Sequence, residues 1–114
     1  VYMLHYEIQG DSLIIYIKDE LDHHAVTYLR ETSDRLIEAG NVKNIVFDFK
    51  DVSFMDSSGI GLIMGRYKKV MFIGGKAAVT NVGKTVDRIF KVSGLYKIIE
   101  KYDTIQEALY ENRI

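Results

Sequence analysis

Ile45-Val46-Phe47-Asp48-Phe49, then the connection Val52-Ser53-Phe54-Met55-Asp56, then Ser57-Ser58-Gly59-Ile60-Gly61-Leu62-Ile63-Met64, is the stretch on which the fold turns. The first five residues are apolar at both alternating sets of positions except for Asp48, the pattern of a strand covered on both faces, as in a parallel sheet flanked by helices. The period then changes. Ile60, Ile63/Met64, Tyr67 and Val70/Met71 recur every three to four residues, which predicts a helix from about Ser58 to Met71 with that stripe toward the sheet. Strand, connection and helix make one βα unit.

Working outward, the unit repeats. Upstream, Tyr2, Leu4, Tyr6 and Ile8 alternate with Met3, His5, Glu7 and Gln9, the period of a half-buried strand. Gly10-Asp11 reads as a type II′ hairpin turn, because a first central glycine tolerates the positive φ, and Leu13–Ile17 returns as an interior strand. A helix follows with Ala25/Val26, Leu29, Thr32/Ser33 and Leu36/Ile37 inward, Asp22 as N-cap and Gly40 at the C-terminal turn. Downstream, Ala77–Thr80 is a short strand, Val86, Ile89 and Phe90 mark a third helix, and Ile98–Tyr102 is a last strand. Thr104-Ile105-Gln106-Glu107 spells a capping box that opens a fourth helix bearing Ala108 and Leu109. The expectation is an α/β chain forming one domain over residues 1–114, with a mixed, mostly parallel sheet of four to five strands, an N-terminal β-hairpin and four helices.

Bulk properties narrow the function. The 114 residues are 47% hydrophobic and 27% charged, within the ordinary range of one globular domain with one core. Cysteine is absent, which removes disulfides, thiolate metal sites and a thiol nucleophile and fits a reducing cytoplasm. The net charge of −1, with acidic and basic residues interleaved, lacks the basic stripe of a nucleic-acid binder. No apolar run reaches membrane-span length, and no basic start with an apolar stretch suggests a signal peptide. The first residue, Val1, leaves room for residues ahead of it.

The connection before the second helix holds the strongest candidate site. Asp56, Ser57 and Ser58 are all N-cap types, and a helix N-terminus offers free N–H groups and a positive dipole end suited to a phosphate. Gly59, Gly61 and Gly65 lie within or beside the same helix, where each interior glycine costs about 1 kcal/mol against alanine. Either close packing within the domain or the approach of a partner's backbone offsets that cost. His23-His24 after Asp22 form a second candidate surface; adjacent helix positions point about 100° apart, so they are no metal pair.

Glu20-Leu21-Asp22-His23-His24, Ser53-Phe54-Met55-Asp56-Ser57-Ser58-Gly59, Gly65-Arg66-Tyr67-Lys68 and Ser93-Gly94-Leu95-Tyr96-Lys97-Ile98-Ile99 together resemble, in order and spacing, the sporulation branch of the STAS-domain anti-sigma factor antagonists. The resemblance covers nearly the whole chain. It implies a non-enzymatic cytoplasmic switch without cofactor or metal, in which the serine directly after the motif aspartate, here Ser57, is phosphorylated. It implies two partners: an anti-sigma factor that is an ATP-dependent serine kinase, bound by the unphosphorylated form so that a sporulation sigma factor is released, and a serine phosphatase. Asp22, His23, Asp56, Ser57, Ser58 and Gly59, which lie in the matching motifs, are the expected partner-binding residues, and Gly61 and Gly65 join them as the helix glycines that a partner's backbone would approach. Two positions depart from the pattern, Asp19 in place of a common glycine and Gly83 near a common proline. A monomer is expected, with a hairpin edge strand open to exchange between chains.

Other chemistries fit the letters less well, with a nucleotide- or small-molecule-binding regulatory domain as the contrasting class. Gly83-Lys84-Thr85 matches the end of a phosphate-binding loop, but Ala78 stands where its leading glycine belongs. Met55 or Asp56 takes the place of the first glycine of a hydrolase nucleophile elbow. Asp48 as a receiver-type phosphoacceptor needs a nearby acidic pair for magnesium, and only Asp19-Glu20 approaches one.

Overall fold

The computed structural model describes residues 5–18 and 23–112, and over them the chain forms one five-stranded sheet with four α-helices. The strands are β1 (His5–Gln9), β2 (Ser12–Lys18), β3 (Asn44–Asp51), β4 (Ala77–Thr80) and β5 (Glu100–Tyr102). The helices are α1 (His23–Glu38), α2 (Ser57–Phe72), α3 (Lys84–Ser93) and α4 (Ile105–Asn112). Spatial order equals chain order, β1-β2-β3-β4-β5; β1 pairs antiparallel with β2 and all other pairings are parallel. This is the expected mixed sheet.

The two apolar faces of β2 and β3 explain the layering. Leu13, Ile15, Ile45, Phe47 and Phe49 point to one side, where α1, α2 and α3 close the main core with Leu29, Ile63, Val70 and Phe90. Ile14 and Val46 point to the other side, which α4 covers with Ala108. Removing one fully buried ring such as that of Phe47 costs about 3–5 kcal/mol, so this alternation alone largely determines the register. Phe90 meets Phe49 edge-on, ring centres 5.2 Å apart, and Tyr96 at 5.8 Å, which ties α3 to the sheet.

Turns follow their residues. Gly10 has φ +61° while Asp11 stays out of the positive region, consistent with the expected type II′ turn. Gly75 is required by proximity: a Cβ there would lie 1.6 Å from the Lys43 carbonyl oxygen, where the chain ending α2 passes under the entry to β3. At the same end, buried Asn44 accepts from the Lys76 N–H (2.9 Å) and donates to Asp11 (3.3 Å), lacing together the starts of β2, β3 and β4.

The structure departs from the sequence reading in four places. All of β1 is exposed, Tyr6 and Ile8 at 44% and 45%, because it is an edge strand over which no helix reaches. The last strand begins at Glu100 rather than Ile98, since Leu95–Lys97 wind into a 3-10 turn after Gly94 takes φ +80°. The buried face of α2 is Gly59, Leu62, Ile63, Arg66 and Val70, rotated from the expected stripe, so that Ile60 and Tyr67 are half-buried and Met71 is exposed. Helix α2 also starts one residue earlier and ends one later than expected. The N-cap assigned to Asp22, and the departure at Asp19, lie outside the described residues. Of the capping box, the forward half is present, Glu107 N–H donating to Thr104 Oγ1 at 3.1 Å.

Candidate functional site

Between β3 and α2 the chain is held by two anchors. Val52 and Met55 are buried in the main core, so the intervening Ser53 and Phe54 and the following Asp56 and Ser57 are turned outward. Asp56 is the N-cap, with φ −111° and ψ −168°, and its Oδ1 accepts from the Ser58 N–H at 2.9 Å. A cap of this kind contributes about 1 kcal/mol. Ser57 is therefore the first residue of the helix, not a residue ahead of it, with an exposed side chain.

The two serines face different hollows of about 370 Å³ each. Asp56 and Ser57 border one between α2 and α3, with Ile60, Arg88, Ile89 and Val92. Ser58 borders the other, between α1 and α2, with His23, Arg30, Gly61 and Leu62. The folded chain thus brings His23, Ser58 and Gly61 together, and separates Ser57 from Ser58 by the direction each takes from the helix start. Val92, 84% exposed, adds an apolar wall beside Ser57. Arg88 and Val92 were missed in the sequence; the one available signal was Val92, an apolar residue off the Val86/Phe90 stripe.

The glycines divide by environment. Gly59 is buried, whereas a Cβ at Gly61 or at Gly65 would meet nothing within 4 Å, so close packing within the domain is not why those two positions lack a side chain. On the buried face of α2, with Gly59, Arg66 is 4% exposed and its Nε lies 2.8 Å from Oδ1 of Asp34 on α1. That N–H is not aimed at the oxygen and Nη1 has no acceptor, so the pair is held by charge more than by directed hydrogen bonds. Burial pulls the guanidinium below its ordinary pKa while Asp34 opposes the shift. The Gly65-Arg66-Tyr67-Lys68 motif thus supplies the cation of a helix-to-helix ion pair.

Two other sequence candidates are engaged elsewhere. Asp48 is buried and its Oδ1 accepts from Thr80 Oγ1 (2.8 Å) and Asn81 Nδ2 (2.5 Å), which commits the carboxylate to joining β3 and β4. Asn81 adopts φ +53° to make that contact. Gly83 caps α3, and Ala78, five positions earlier, is buried within β4 rather than in a loop, so no phosphate-binding loop forms there.

A mixed sheet with this hairpin, three helices on one face and a capped aspartate-serine helix start defines the class. The STAS domain family model matches residues 3–108, and the chain belongs to that family. It is 42% identical over 99 residues to the anti-sigma F factor antagonist of Paenibacillus polymyxa, covering 87% of this chain and 85% of that one. Against the anti-sigma-B factor antagonist of Bacillus subtilis it is 36% identical over 90 residues, 79% of this chain and 81% of the relative. Among solved structures, the anti-sigma factor antagonist SpoIIAA in its unphosphorylated form superposes with a TM-score of 0.87 at 34% identity, covering 97% and 96% of the two chains. The Bacillus cell fate determinant SpoIIAA in the phosphorylated form gives 0.77 at 33% identity, with 96% and 98% covered. The chain is accordingly a homologue of the anti-sigma factor antagonists.

Proposed function

We propose that this chain is a non-enzymatic cytoplasmic anti-sigma factor antagonist that binds its anti-sigma factor through the start of α2 and the two hollows beside it, and that phosphorylation of Ser57 switches the binding off. Binding by the unphosphorylated form releases the sigma factor; the anti-sigma factor, itself a serine kinase, reverses this by transferring phosphate from ATP, and a phosphatase restores the serine. The observation that carries the reading is the exposed Ser57 hydroxyl at the first helical position, next to an aspartate whose carboxylate is occupied with capping. The open space over Gly61 and Gly65 supports it, because a partner's backbone can approach α2 there.

The chemistry at Ser57 favours a surface switch over a refolding one. A phosphoserine adds roughly 1.5 to 2 negative charges, and at a helix N-terminus these meet a positive dipole end. Arg88, bordering the same hollow, supplies a nearby cation. The domain therefore keeps its fold, while the added charge must be desolvated against a kinase site already holding an acidic nucleotide, and affinity falls.

Incubation with the kinase and ATP, followed by intact mass and peptide mapping, tests the assignment. One added phosphate on Ser57 is expected, abolished in Ser57→Ala and retained in Ser58→Ala, with both variants still bound by the anti-sigma factor. Phosphate mapped to Ser58 would overturn the residue; no incorporation and no binding would overturn the function.

A further inference from the structure

At the opposite pole of the domain from Ser57, where α1 and α2 end and β2 and β3 begin, the surface opens into a cleft of about 820 Å³. Small-molecule sites fall at roughly 300–1,000 Å³ and combine an apolar lining with a few placed polar groups. Ile37 and Val42 form the buried floor here, and Phe72 and Ile73 form one wall. Phe72 is 90% exposed, a phenyl ring with almost nothing packed on it, and Met71 and Ile73 beside it are 52% and 46% exposed.

The charges at the rim are unbalanced. Glu38 is paired with Lys69 at 3.0 Å, and Asp11 accepts from the neutral Asn44 amide at 3.3 Å and keeps its charge, so the lining carries three lysines against two carboxylates. Lys43 and Lys68 also line the cleft and, among the described residues, form no ion pair. The Lys43 side chain runs beside the Gly74 turn, its Nζ 3.9 Å from where a Cβ of Gly74 would be. An apolar floor, an uncovered aromatic wall and two unpaired cations are complementary to one chemistry: an apolar body carrying a single anionic head.

We infer that this cleft is a binding site for a small amphipathic carboxylate, the chain lying on Ile37 and Val42 under the Phe72 ring and the carboxylate between Lys43 and Lys68. The site is independent of Ser57, which α2, 16 residues long, holds about 24 Å away.

Laurate, kept below its micelle threshold, is the probe, titrated into the full chain and followed by backbone amide NMR. Saturable shifts confined to residues 37–43 and 68–74 are expected, and they should be absent with dodecyltrimethylammonium, which has the same chain and the opposite charge. Lys43→Gln with Lys68→Gln should weaken laurate at least tenfold without changing the melting temperature of the free protein, and Phe72→Ala should weaken it while leaving the anti-sigma interaction unchanged. Shifts scattered over the sheet, or an equal response to the cationic surfactant, would overturn the site. So would binding to phosphatidylglycerol vesicles without any response to free laurate, or self-association that Phe72→Ala abolishes while laurate has no effect.

Discussion

Replacing Gly61 and Gly65 by alanine should make the protein more stable and a poorer partner, two effects that rarely coincide. Both glycines sit inside α2, where glycine costs about 0.8–1.0 kcal/mol relative to alanine through its freedom in the unfolded chain. Neither has a positive φ, and a Cβ at either position has no neighbour within 4 Å, so no steric term offsets the gain. The double variant should therefore gain about 2 kcal/mol, worth roughly 8 °C in melting temperature for a chain of this size. Binding should move the other way. If a partner's backbone packs against the bare helix between the α1 hollow and Gly65, one methyl at Gly61 forces the two surfaces apart, and a tenfold loss, about 1.4 kcal/mol, is the minimum expected. Thermal and urea denaturation give the first quantity; titration against the anti-sigma factor gives the second. A lower melting temperature would show that the glycines serve the fold. Higher stability with unchanged affinity would remove them from the docking face.

Asp34→Ala strands the buried Arg66 guanidinium without its counter-charge and should cost about 3–5 kcal/mol, whereas replacing both by apolar residues (Asp34→Leu with Arg66→Met) should come close to neutral; equal losses in the two would refute the account of the pair. Gly75→Ala should be severely destabilising, with expression of folded protein as the readout, because the new Cβ would collide with backbone at Lys43 that has no room to retreat. Tyr96, Lys101 and Lys91 hold the Asp87 carboxyl well below the usual carboxylate range. Its stabilising contribution is therefore present above its unfolded pKa of about 3.9 and is lost as pH falls through the depressed folded value, so the melting difference between wild type and Asp87→Asn should be largest near neutrality and shrink in acid. Ser57→Asp should lower affinity for the anti-sigma factor only in part, as one carboxylate carries less charge and fewer acceptors than phosphate, and its backbone shifts should stay near α2.

The fold was legible where burial and hydrophobicity coincide. The runs Leu13–Ile17 and Ile45–Phe49 are apolar because helices cover both faces of β2 and β3, so strand type and the parallel arrangement followed from composition alone. The phase of α2 was misjudged where the two part company: Arg66 is charged and buried, paired with a residue 32 positions earlier that no local pattern links to it, while Ile60 and Tyr67 are apolar and only half-buried. Ile98 misplaced the last strand for the same reason, being apolar yet 40% exposed on the 3-10 turn's exit. At the candidate site, Asp56 and the serines announced a helix cap, but the hollow Ser57 faces is half built by α3. Arg88 reaches it only through tertiary packing, which leaves no spacing in the chain to read.

The order of the sheet bears on how the molecule is made. Every strand hydrogen-bonds to the strand that precedes it in the chain, and none is inserted between two formed earlier. A polypeptide emerging from its N-terminus can thus add each βα unit to an edge that is already complete, without reopening what came before. Until β4 arrives, however, the growing edge is β3, whose Ile45, Phe47 and Phe49 line one face and need cover from the helices packed there. The interval between synthesis of Asp51 and of Thr80 is then the period of greatest exposure to misassembly, and chains arrested in that window should be those that aggregate.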